Sequence, residues 1–165
     1  MTPVDPTTAD LRVLVAEIRD DLAAIERLAE RLADVKLRAA AGSEPPPLEV
    51  MAAAGYLHHL YTGMESIHER IVTRVEGAVP SGERWHQELL TRVGVDVAGV
   101  RPAVLRPETR AQLARLLRFR HFFRHAYRID LLWHEVAGLL ADVERVVTDY
   151  RADVDAFCLH LDRAD

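Results

Sequence analysis

The chain has 165 residues, 49% of them hydrophobic, and a formal net charge of −5, which is enough for one domain with a real core. The negative balance excludes a binder coated all over in positive charge. The sole cysteine, Cys158, excludes an internal disulfide and a cysteine-based zinc site. No uncharged apolar run approaches the ~20 residues that span a bilayer, and the N-terminus has no apolar signal core, so no membrane association is expected and the cytoplasm is the expected compartment.

Sparse aromatics and abundant Ala, Leu, Arg and Glu point to an all-α chain. Residues 1–7 hold two prolines and read as a flexible N-terminus. A single helical domain is expected over 8–163. Thr7 or Thr8 can cap the first helix, with Asp10 placed for its positive end. Leu11, Leu14, Ile18, Leu22, Ile25, Leu28, Leu32 and Val35 then recur at steps of three and four, an apolar stripe running to about Ala41. At ~1.5 Å per residue such a helix is about 45–50 Å long, so part of its stripe is a candidate for contact with a second subunit.

Gly42-Ser-Glu-Pro-Pro-Pro47 ends that helix and leads into the next, expected over Leu48–Glu76 with Met51, Leu57, Leu60, Met64, Ile67, Ile71 and Val75 inward. Gly77-Ala-Val-Pro-Ser-Gly82 breaks it, and a short helix over Glu83–Val93 follows. Gly94–Pro107 reads as a loop with Val95, Val97, Val100, Val104 and Leu105 available for packing. Pro107 suits the first turn of a fourth helix running to about Ala126. Ile129-Asp-Leu131 is a joint before a last helix over about 131–161. The economical fold is an antiparallel bundle of four main helices plus one short helix.

Charge is concentrated in one place. Arg101, Arg106, Arg110, Arg115, Arg118, Arg120, Arg124 and Arg128 face a single acid, Glu108, in the stretch from 101 to 128. On a helix at ~100° per residue, Leu116, Phe119, Phe122, Phe123 and Ala126 are expected in one apolar sector, and Arg118, Arg120, His121, Arg124, His125 and Arg128 in the opposite one, with Tyr127 at its border. Solvated helix faces ordinarily mix signs. A face of cations and imidazoles requires an anion from elsewhere.

Rival chemistries have little support. His121 and His125 have the four-residue spacing of two zinc ligands, but HExxH needs Glu where Phe122 stands, and four nearby arginines repel a dication. His58, His59 and His68 lack Asp or Cys partners at ligand spacing and read as surface or core-edge residues. His86 and His134, each after a Trp, read as packing or capping residues. No Gly-rich phosphate loop and no GxSxG elbow is present. No metal and no cofactor is therefore expected. Arg plus His without a metal suits cleavage of RNA by its own 2′-hydroxyl: His moves the proton, and Arg holds the phosphate and offsets its growing charge. An Arg-rich helix that pairs with acids of its own bundle, such as Glu65 or Glu69, accounts for the same residues, and both readings stay open at this point.

The segment Arg120-His-Phe-Phe-Arg-His125-Ala-Tyr127 matches R-x4-H-x-Y. With it stand Tyr61-Thr-Gly-Met-Glu65, Trp85-His86-Gln-Glu-Leu-Leu90 and Val100-Arg-Pro-Ala-Val-Leu105, together covering about residues 48–135. In these features the chain resembles HepT-like proteins of the HEPN superfamily. The resemblance implies a small helical bundle that forms a homodimer around a shared cleft and acts as a metal-independent endoribonuclease, the toxin of a toxin–antitoxin pair. It implies Arg120 and His125 as catalytic residues and a minimal nucleotidyltransferase antitoxin that adds AMP to Tyr127. Arg118, His121 and Arg124 are then expected to bind RNA phosphate. On a straight helix Arg120 and His125 are about 140° apart, whereas Arg118 and His125 are nearly in line, so Arg118 is a second candidate partner for His125. The alternative reading is a non-catalytic helical adaptor, or an RNA- or nucleotide-binding protein, using the same cationic face.

Overall fold

The computed structural model describes residues 7–39, 45–125, 131 and 133–163. These form α1 (Thr8–Ala39), α2 (Pro47–Ile71), α3 (Trp85–Val93), α4 (Pro107–His125) and α5 (Trp133–Arg163), with a π turn over Val72–Glu76 that prolongs α2. The fold is the expected all-α bundle of four main helices and one short one.

Local chemistry explains the element ends. The Thr7 hydroxyl accepts from the Asp10 amide at 3.2 Å while Asp10 Oδ2 takes the Thr7 amide at 3.1 Å, a reciprocal cap on α1. Pro47 opens α2 where no donor is needed. Gly77, at φ 83°, closes the π turn in the left-handed region. Instead of ending cleanly near Glu76, α2 widens over its last turn, which turns Glu76 toward the loop that follows α3.

Side-chain pairs fix the directions. Arg70 of α2 reaches Glu17 and Asp21 of α1 at 3.2 and 3.1 Å, and a Cβ on Gly63 would stand 3.1 Å from Ile25, so these two helices are antiparallel and close. Arg19–Asp162, Glu26–Arg151 and Lys36–Glu144 set α5 antiparallel to α1. Arg106–Asp153, Gln112–Asp149 and Arg115–Asp142 do the same for α4 and α5. Helix α2 packs against each of the other four.

The α1 stripe is spent inside this chain: Leu14, Ile18, Leu22, Ile25, Leu32 and Val35 are all buried. Met51, expected inward, is 49% exposed instead. In the 94–106 loop Val104 and Leu105 pack inward, whereas Val95 and Val100 face solvent. That loop is organised by a charge. The Arg101 side chain is fully buried; its Nε and Nη2 donate to Glu76 Oε1 at 2.8 and 2.6 Å, and other guanidinium protons go to the carbonyls of Arg92, Val95 and Pro102. His68, read as a surface or core-edge residue, lies fully buried, and the Tyr150 hydroxyl beside it donates to the Met64 carbonyl at 3.1 Å and accepts from His68 Nε2 at 3.2 Å.

Removing one partner of a buried ion pair strands the other. Arg101→Ala is expected to lower unfolding stability by about 3 kcal/mol in urea titrations, far more than Arg145→Ala on the exposed surface. Equal effects of the two substitutions would show that the Glu76 pair does not hold the loop.

Candidate functional site

Helix α4 presents two faces, and Arg120 is not on the outer one. Arg120 follows Leu113 by seven and Leu116 by four, and precedes Phe123 by three, so helical geometry places it among apolar neighbours. Its residue is 7% exposed. The expectation that Arg120 shares a sector with Arg118 and His125 is therefore corrected. Arg118, His121, Arg124 and His125 are exposed, while Arg120 points at α2 and α3.

Inside, Arg120 joins a circuit. Its Nη1 donates to His86 Nε2 at 3.2 Å, and His86 Nδ1 donates to Glu65 Oε1 at 2.7 Å. Glu65 Oε2 stands 3.7 Å from Arg120 Nη2. A guanidinium can only donate, so His86 must be the tautomer with its proton on Nδ1. Burial, then the cations of Arg120 and Arg124, push the His86 imidazole down to about 4, so it is neutral at physiological pH. Burial also raises the Glu65 carboxyl, against the pull of Arg120, His121 and Arg124. The Trp85 ring lies against His86, tilted by 33° with ring centres 3.7 Å apart. His86, read from sequence as a packing or capping residue, is the hinge of this network. The sequence signal for it is the Trp85-His86 pair at the head of α3, with an acid, Glu65, on the neighbouring helix.

Three buried polar atoms around Arg120 lack a hydrogen-bond partner among the described residues: Arg120 Nε, Tyr61 Oη and His58 Nδ1. Such orphans are uncommon in protein interiors. Burial and the Glu65 charge raise the Tyr61 hydroxyl, and burial with Arg120 lowers the His58 imidazole.

Outside, His125 Nδ1 donates to the His121 carbonyl at 2.8 Å. A carbonyl cannot donate, so Nδ1 carries the proton of this bond, and in a neutral ring the lone pair is then on Nε2. The pairing of the α4 region with acids of its own bundle is partial. Arg101, Arg106, Arg115 and Arg120 have carboxylate partners. Arg110, Arg118 and Arg124 have none among the described residues. Tyr127 and Arg128 lie outside the described residues, so the place of the expected modification site is not part of this geometry. Among the described residues no group of three His, Cys, Asp or Glu side chains is placed to hold a metal ion, and no helix is long and apolar enough to cross a membrane.

The family model described as HepT-like protein matches residues 52–161. No curated protein and no solved structure matches the chain significantly.

His86 and His68, with folded values of about 4 and about 3 against an ordinary 6.5, take up protons first in the unfolded chain. Their contribution is whole above about pH 6.5 and is lost as pH falls toward 4, so the urea midpoint is expected to be lower at about pH 4.5 than at pH 7. Glu65, with its raised carboxyl, works in the opposite direction. The comparison that isolates the imidazole is therefore His86→Gln, whose acid loss should be shallower. A pH slope unchanged by His86→Gln is the outcome that removes a neutral His86 from the circuit.

Proposed function

Because the chain belongs to the HepT-like family, we propose that it is a metal-independent endoribonuclease toxin that works as a cytoplasmic homodimer. The observation that carries the reading is His125: exposed, its Nδ1 committed to the His121 carbonyl, and flanked by Arg118 and Arg124, which lack carboxylate partners among the described residues. Neutral His125 accepts the proton of a ribose 2′-hydroxyl through Nε2. The 2′-oxygen bonds to phosphorus, the bond to the 5′-oxygen breaks, and that oxygen takes a proton. The products are a 2′,3′-cyclic phosphate and a 5′-hydroxyl end. Arg120 is the proposed anchor for the phosphate, as one end of the R-x4-H pair, with its guanidinium plane set by Glu65 and His86. Within one chain Arg120 faces α2 and His125 faces solvent. Arg118, His121 and Arg124 are the proposed phosphate contacts on the exposed face.

A minimal nucleotidyltransferase is the proposed antitoxin, transferring AMP from ATP to the Tyr127 hydroxyl with release of pyrophosphate. An added phosphate and nucleoside beside the cationic face would compete with RNA. The engagement of Arg120 by Glu65 and His86 favours a second reading, an RNA binder that does not cut.

Purified protein incubated with total RNA decides between the two. His125→Ala is expected to slow cleavage by at least about 100-fold, and EDTA is expected to leave the wild-type rate unchanged. Arg120→Ala should cost more activity than Arg118→Ala, with melting curves recorded for both because Glu65 loses its partner in the former. Intact RNA with every protein leaves only the binding reading, and loss of cleavage in EDTA overturns the metal-free mechanism.

The modification is checked separately by mass spectrometry after incubation with the antitoxin and ATP. Tyr127 is expected to gain the mass of AMP and Tyr127→Phe to escape it. Labelling of Tyr127→Phe moves the site elsewhere.

A further inference from the structure

Between α3 and α4 lies an open groove of about 460 Å³. Its apolar floor includes Leu90, Ala114 and Leu117, and its edges include Gln87, Arg110 and Arg118. Among the described residues no carboxylate lines it. Arg110 and Arg118 have no acidic partner among the described residues, so two unneutralised cations bracket one strip of apolar surface. The groove also runs toward the proposed active site. Arg110, Ala114, Leu117, His121 and His125 succeed one another at steps of three and four along one face of α4. Arg118 lies two turns before His125, about 10 Å along the axis.

Cations at the edges, an apolar floor and a neutral amide make a combination suited to one kind of occupant. A lone phosphate has no use for the floor, and an apolar peptide leaves the arginines unpaired. The geometry points to a subsite for one nucleotide of the RNA strand beside the cleaved phosphodiester. The base lies on Leu90, Ala114 and Leu117, its 5′-phosphate meets Arg110, the next phosphate toward His125 meets Arg118, and the Gln87 amide, both donor and acceptor, meets the base edge. This assignment rests on the ribonuclease reading for its substrate, but nucleotide binding is measurable without any cleavage.

Calorimetric titration with the four nucleoside 5′-monophosphates, and in parallel with ribose 5-phosphate, tests it. Nucleotides are expected to bind at least about tenfold more tightly than ribose 5-phosphate, because only they cover the floor. Arg110→Gln should weaken nucleotide binding by about tenfold through the lost charge-assisted contact. Ala114→Phe, which fills the floor, should abolish it, with thermal melting confirming the fold. Gln87→Ala, on the exposed rim, should level the differences among the four bases, and it keeps the test decisive if Ala114→Phe unfolds. Equal affinity for ribose 5-phosphate, or nucleotide binding untouched by both Arg110→Gln and Gln87→Ala, overturns the subsite. Nucleotide binding that responds to these substitutions in a protein that cuts no RNA supports the subsite and removes the ribonuclease reading instead.

Discussion

Three helices meet at one buried carboxylate. Glu65 of α2 takes the Nδ1 proton of His86 on α3 and faces the Arg120 guanidinium of α4, and all three side chains are almost wholly removed from water. Withdrawing a carboxylate and a guanidinium from solvent is expensive, and their attraction repays it only when the geometry is good and the remaining donors and acceptors are used. Here a neutral imidazole bridges the two charges, with its acceptor toward the cation and its donor toward the anion. An apolar trio of similar volume could fill the same space, so stability is a weak reason for the arrangement. What the circuit supplies is orientation. It holds α3 against the α2–α4 pair, and it fixes the plane of one arginine on a helix whose unpaired cations point outward.

The rest of the electrostatics follows from that division. Three arginines of this region are tied down: Arg101 holds its loop through Glu76, Arg106 pairs with Asp153, and Arg115 with Asp142. These pairs join the loop and α4 to α2 and α5, and they are structural. Arg110, Arg118 and Arg124 carry no such ties among the described residues. A net acidic chain thus exposes a narrow cationic band on a surface elsewhere laced with acid–base pairs, a distribution that selects where an anion docks more than how strongly it is attracted overall.

Much of this was legible without coordinates. The stripe of α1, the Pro-rich break after it, the Gly77 stop and Pro107 at the head of α4 are local signals, set by periodicity and backbone chemistry. The resemblance to the family was legible as well, in residue types and their spacing over about residues 48–135. The position of Arg120 was legible too, since its spacing from Leu113, Leu116 and Phe123 is a property of the helix. Grouping it with the other cations by charge obscured a geometry that the spacing already contained.

The sequence by itself determined the helices, their order, the family and the candidate side chains, because each depends on neighbours within a few turns of chain. Only the tertiary structure decided which cations are free. Glu65 and His86 are 21 residues apart, and His86 and Arg120 are 34 apart, so no local pattern relates them. The same packing separates Arg106 and Arg115, held by α5, from Arg110 and Arg118, which border the groove with α3. Charge can be counted along a chain. Whether a charge is neutralised depends on which helix lies beside it, and burial of apolar surface across the whole bundle sets that.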